Sequence, residues 1–273
     1  MPSITEQPSE LEIVFFDDFT SNNLDRSKWN VEITGPVYNN EQQAYVDSPE
    51  TIYIEKDDDI TKDANGILVI HPRYCPGFIT PEGTAFDFIS GRLNTMSKVE
   101  FMYGTVAARM KLPTGTGLWP AFWAMGSAKP WPDNGEIDIM ENVGDPAWIS
   151  VAMHGPGYSG DTPLVARKYL PRDNDVTAWH VYSVDWTPDR LMFKTDEEVI
   201  YEVTRNTVEK YGTWTYDNHK FILLNCALGG GYPASINKIE SPYLGLATST
   251  VQLIKDQRAK VLVDWVRVTG LEN

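Results

Sequence analysis

Apolar residues in this chain recur in short runs with a period of two. That is the spacing of a strand with one buried face, not the three- and four-residue spacing of an amphipathic helix. The run 104–112, GTVAARMKL, sets Val106, Ala108, Met110 and Leu112 against Thr105, Ala107, Arg109 and Lys111. Shorter runs cover 11–16, 66–70 after an Asn-Gly turn, and 261–268. Residues 181–186, 191–194 and 199–203 are separated by turn residues and predict a meander. Residues 221–227 are apolar almost throughout, as in a strand buried on both faces. Helical candidates are short, at 25–29 and 236–239. Residues 155–178 are rich in Gly, Pro and Asp and read as a strand-poor surface excursion. Many short strands without βαβ alternation predict an all-β sandwich.

The 273 residues suit one large all-β domain spanning 1–273, with a loosely packed or disordered N-terminus over 1–10. No apolar run is long enough to span a membrane. The net charge of −15 repels phosphates and anionic lipid, so neither nucleic acid nor membrane is expected as a partner. Cys75 and Cys226 fit neither zinc nor redox spacing and read as two separate buried thiols. The polar N-terminus, MPSITEQPSE, is no signal peptide. The chain is either a mature secreted form or a protein that stays in the cytoplasm.

Candidate chemistry concentrates in 131–144, WPDNGEIDIMENVG. Three carboxylates, Glu136, Asp138 and Glu141, alternate with Ile137, Ile139 and Met140. In a regular strand Glu136 and Asp138 share a face and Glu141 points into the core. A carboxylate in an apolar core is costly. A β-bulge at Ile139–Met140, supplied by Met140, returns Glu141 to the face of the other two. The two glutamate backbones then lie about 13 Å apart, from four strand steps of roughly 3.3 Å. Long side chains leaning together narrow the gap toward the ~5–5.5 Å that a retaining glycosidase uses. Three acids on one face repel one another, so at least one holds a proton near neutral pH. An exposed acidic edge or a cation site fits the same three residues.

GEIDIMENVG resembles the bulged E-x-D-x-x-E signature of glycoside hydrolase family 16, in its laminarinase-like form. Similar segments follow in order: VFFDDF, YNNEQQAYVD, YGTVAARMKLPTGTGLWPAFWAMG, VYSVDWTPDRLMF, FILLNCALGGGYP and VLVDWVRV. The resemblance implies a jelly roll of two curved antiparallel sheets with a concave substrate cleft. It implies a secreted, monomeric, endo-acting retaining β-1,3-glucanase that needs no catalytic cofactor and has β-glucan as its partner. Glu136 would be the nucleophile, Glu141 the acid/base, and Asp138 would steady both. Trp131 would lie under the sugar beside the cut bond, with His154 near the carboxylates. Asn40 and Arg92 would line the glycone side. Of Trp119 and Trp123, one would face the cleft and the other the core.

The resemblance also implies a structural Ca²⁺ at Gly66, Asp264 and Asp18, away from the cleft. His154 reads equally as a structural donor, and Asp264 as an ordinary strand aspartate. Trp186 and Trp265 read as core residues, and Asn225 as a donor to neighbouring backbone. His71, His180 and His219 show no metal-ligand spacing. Tyr232 stands where laminarinase-like members often have Trp, which touches the sugar platform. Agarose, carrageenan and mixed-linkage glucan are alternative substrates. A non-catalytic glucan-binding module is the alternative outside enzymes.

Overall fold

The computed structural model describes residues 12–35, 37–56 and 66–271. The expectation for residues 1–10 lies outside them. Two large antiparallel sheets pack face to face. One runs Glu198–Thr204, Arg190–Thr195, His180–Thr187, Gly104–Lys111, Val261–Thr269, Gly66–Ile70 and Ile52–Lys56, with Ile13–Asp17 also paired to Val261–Thr269. The other runs Leu164–Tyr169, Trp148–His154, Glu136–Glu141, Leu118–Gly126, Lys220–Leu228, Arg92–Asn94 and Asn30–Val31. A small third sheet joins Gln43–Tyr45, Ala85–Ser90 and Arg73–Ile79; its first two strands are parallel. This is the expected jelly-roll sandwich.

Strand alternation builds the core between the sheets. Val106, Ala108 and Met110 enter it from one sheet, with Tyr182, Val184 and Trp186 from the neighbouring strand. Ile137, Ile139, Met140, Ile222, Leu224 and Cys226 meet them from the other. Residues 221–227 are buried on both faces, as expected, because the third sheet leans over the far side. Trp186 is core, but Trp265 is half-buried, with Arg267 over its ring at 5.2 Å. Cys226 is buried and Cys75 half-buried; both are free thiols.

Three local expectations are corrected. Residues 25–29 form a single turn, not a helix, closed by Asp25 Oδ1 accepting from the Ser27 backbone. The excursion at 155–178 contains the strand Leu164–Tyr169, whose outward residues are solvent-facing and leave no apolar alternation to read. The helix near 236–239 is Gly231–Asn237 and ends at Lys238, in the left-handed region at φ 60°. Two further helices, Arg205–Val208 and Thr248–Lys255, were not anticipated.

Candidate active site

The strand Glu136–Glu141 lies mid-sheet, and its register is interrupted where the acid spacing demands it. Against Leu118–Gly126, Asp138 faces Trp123 and Met140 faces Phe122, leaving Ile139 without a partner. Against Trp148–His154, three steps from Asp138 to Glu141 match two from Ala152 to Ser150. The bulge is therefore at Ile139–Met140, but the unpaired residue is Ile139 rather than Met140. Ile137, Ile139 and Met140 all enter the core. Glu136, Asp138 and Glu141 share the outer face.

Each glutamate has an indole donor. Trp131 Nε1 donates to Glu136 Oε2 at 2.5 Å, and Trp119 Nε1 donates to Glu141 Oε1 at 2.9 Å. His154 Nε2 lies 3.2 Å from Asp138 Oδ2, and Oδ2 has no hydrogen-bond partner among the described residues. Burial raises all three acids. Glu136 is pushed up to about 8 by burial and by the charge of Asp138, against the opposing effects of His154 and Trp131. Glu141 is pushed up to about 7 by burial, with Trp119 and His154 opposing and Glu136 adding. Asp138 rises well above the ordinary aspartate range through burial and the charge of Glu141. Asp138 lies between the two glutamates and is raised by the charge of Glu141, while its own charge raises Glu136, so the three acids titrate together rather than one by one.

The other predicted residues divide. Trp131 is 48% exposed beside the cluster, its ring 6.1 Å from that of His154. Trp119 and Trp123 are four residues apart in one strand, so both rings lie on the acid face and Phe122 enters the core. The expected division between cleft and core is thus corrected. Asn225 bonds side chains rather than backbone: Oδ1 accepts from Trp123 Nε1 at 2.8 Å, and Nδ2 donates to Tyr45 at 3.2 Å. Arg92 stacks over Trp123 at 4.9 Å and pairs with Glu32 at 2.9 Å. It opens onto a hollow of about 190 Å³ shared with Glu32, Tyr38, Glu41 and Tyr45. Asn40 does not line this hollow; it sits exposed in a turn at φ 54°.

Tyr232 and residues of the strand Leu164–Tyr169 also reach the acid face. Tyr232 meets Trp119 edge-on at 5.3 Å and is 3.2 Å from the Ser150 hydroxyl. Register places Val165, Arg167 and Tyr169 beside Ala152, Ser150 and Trp148 on the same face. The Arg167 guanidinium caps the Trp148 ring at 3.8 Å. The period of two exposes such residues only once the strand Leu164–Tyr169 is known.

Glu136, Asp138 and His154 bring one donor atom each within 4.8 Å of one another. Such a set suits protons as well as a cation. At the expected calcium position, Asp264 Oδ2 accepts from Arg109 at 2.6 Å, while Oδ1 is buried without a partner. Gly66 packs against the Phe19 carbonyl so closely that a Cβ would lie 2.0 Å from its oxygen. The carboxylate oxygen of Asp264 that Arg109 leaves free is of the kind a hard, oxygen-coordinated cation such as Ca²⁺ takes. Asp18 fits less well, because its carboxylate accepts from its own turn at Thr20.

Residues 38–238 match the family model of glycosyl hydrolases family 16. A beta-glucanase of Rhodothermus marinus is 30% identical over 233 residues, covering 81% of this chain and 77% of that protein. The structure of an endo-beta-1,3-glucanase from Pyrococcus furiosus superposes with a TM-score of 0.82 at 32% identity, over 96% of this chain and 95% of that one. The laminarinase catalytic domain of Thermotoga maritima gives 0.81 at 28% identity, over 97% and 100%. The bulged strand, its three acids and the match across most of the sequence have one explanation: this chain belongs to glycosyl hydrolases family 16.

Proposed function

We propose that the protein is an endo-acting β-1,3-glucanase that retains the β configuration, with Glu136 as nucleophile and Glu141 as acid/base. The observation that supports this most is the bulge, which turns Glu141 to the face of Glu136 and Asp138. Glu136 attacks the anomeric carbon as the glycosidic bond breaks, and Glu141 protonates the leaving oxygen. For this step Asp138, raised by burial and by the charge of Glu141, holds a proton. A protonated Asp138 no longer repels charge on Glu136. Trp131 donates a hydrogen bond to that carboxylate.

The second half uses the same pair. The charge of Glu136 is one of the causes that raise Glu141. Esterification removes that charge, so Glu141, having given up its proton, stays ionised; it takes a proton from the incoming water as the water oxygen bonds to the anomeric carbon and the bond to Glu136 breaks. The sugar chain crosses the strands. Its glycone side lies toward Arg92 and Glu32, and its other side over Tyr232, Arg167 and Tyr169. The ion pair of Arg92 with Glu32 leaves that hollow without net positive charge, which disfavours sulfated galactans.

We further read Ca²⁺ at Asp264 and Gly66 as structural, and the protein as secreted, since a polysaccharide substrate does not enter a cell. Proton NMR of the first products from laminarin tests the main reading. The β-anomer among internal fragments is expected. An initial α-anomer would overturn retention, and rapid cleavage of agarose beside intact laminarin would overturn the substrate.

A further inference from the structure

Lys220 begins the strand that runs to Leu228, and its side chain is wholly buried. Among the described residues no carboxylate lies within ion-pair distance of its ammonium. Its three N–H donors are taken by Asn134 O at 2.7 Å, Thr215 O at 3.2 Å and Asn218 Oδ1 at 2.8 Å. The rings of Tyr216 and Trp186 lie 5.5 and 5.8 Å from Nζ. Burial depresses this lysine to about 7, with Asp217 opposing. A buried cation held only by dipoles and rings is expensive, and an apolar residue at this place would ordinarily stabilise the fold more. Such exceptions concentrate where function requires them.

The acceptors of Lys220 point to what it holds. Asn134 and Gly135 form the turn between Trp131 and Glu136. Gly135 has φ +68°, and a Cβ there would meet Thr215 O at 2.4 Å and Lys220 Nζ at 3.1 Å. The turn is thus pressed against the segment 215–218 with the ammonium between them. From that segment, the Tyr216 hydroxyl donates to His154 O at 3.1 Å and to Glu136 O at 3.5 Å. Lys220 therefore joins the turn before Glu136 to a segment that also grips the backbone of Glu136 and His154. Its bond to Asn134 joins positions 86 apart in the sequence.

We propose that Lys220 is a positioning residue: its ammonium staples the Asn134–Gly135 turn to the 215–218 segment and so holds the Trp131 indole on the Glu136 carboxylate. The kinetic consequence rests on the reading of Glu136 as nucleophile; the structural one does not. Around Glu136 the charged and titratable neighbours among the described residues are Asp138 on its own strand, His154 on the next and Tyr216 from the 215–218 segment, with Glu141 beyond Asp138. Trp131 lowers the proton affinity of Glu136, so losing its alignment raises it.

The test is Lys220→Met, read in two ways. Carboxyl ¹³C NMR of Glu136 should show its titration midpoint moved upward relative to wild type. On laminarin, kcat should fall on the order of 10–100-fold, as for a small misplacement of reacting groups. Adding Trp131→Phe to Lys220→Met should then cost little more, because the indole bond is already lost. If Lys220→Met does not fold, Asn218→Ala removes one acceptor at a half-buried turn position and is read the same way. A folded variant with unchanged Glu136 titration, or full additivity with Trp131→Phe, would overturn the proposal. A wild type inactive on every glucan would sink the glucanase reading alone, since the NMR measurement still decides the role of Lys220.

Discussion

Trp131 and Glu136 are joined by a 2.5 Å hydrogen bond from the indole Nε1 to the carboxylate Oε2. A half-exposed ring and a half-buried acid are therefore one unit. Trp131→Phe keeps the platform and removes the donor. A hydrogen bond to a charged group is worth ~1.5–3 kcal/mol, or about one to two pH units. The acidic limb of the kcat/KM profile is expected to move up by that amount. An unmoved limb would mean that Trp131 serves binding alone.

Glu136 and Glu141 have folded-state values of about 8 and about 7, above the ordinary glutamate value of 4.5. Between 4.5 and those values the folded protein binds protons that the unfolded chain has released. Stability from these groups is fully present below that window and is lost as pH rises through it. Glu136→Gln, which cannot ionise, should melt higher than wild type at pH 8 and at the same temperature near pH 4. Thermal melts across that range check the sign. A variant less stable at pH 8 would show that the carboxylate is satisfied in the fold.

The bulge separates length from identity. Deleting Ile139 leaves Glu136, Asp138 and the former Glu141 alternating strictly, all on one face. Some glucanase activity should survive. Exchanging Met140 and Glu141 at constant length instead sends the glutamate into the core, and activity should vanish with a drop in melting temperature. Equal loss in both variants would show that the spacing along the strand matters more than the shared face.

Removal of divalent cations distinguishes two donor sets. The proposed Ca²⁺ at Asp264 and Gly66 would lie on the sheet that does not carry the indole-bound glutamates, so EDTA should lower the melting temperature and leave turnover at low temperature unchanged. Loss of turnover without loss of stability would place a cation among Glu136, Asp138 and His154 instead.

The acid face was legible in the sequence because the period of two leaves Glu141 no tolerable place without a bulge. The same rule puts Trp119 and Trp123 on one face, which a division between cleft and core contradicts. Leu164–Tyr169 escaped notice because its outward side chains, Val165, Arg167 and Tyr169, are exposed and Gly and Pro surround it. Lys220 escaped for a different reason. A lysine at the head of a strand reads as a solvated end, and its acceptor at Asn134 is set by tertiary packing that no local pattern encodes. Asn40 is exposed in its turn, and a loop's sequence does not specify which side chain of the turn faces a ligand.

The lateral edge of the sandwich has a further consequence. Leu164–Tyr169 ends one sheet and Glu198–Thr204 ends the other, and Lys168 is paired with Glu198 across them. An unpaired strand edge is a template for another chain. Here an incoming strand would have to strip water from a cation–anion clasp and from Arg167 before gaining a ladder of backbone bonds. The clasp that ties the two layers together also protects the protein against edge-to-edge aggregation.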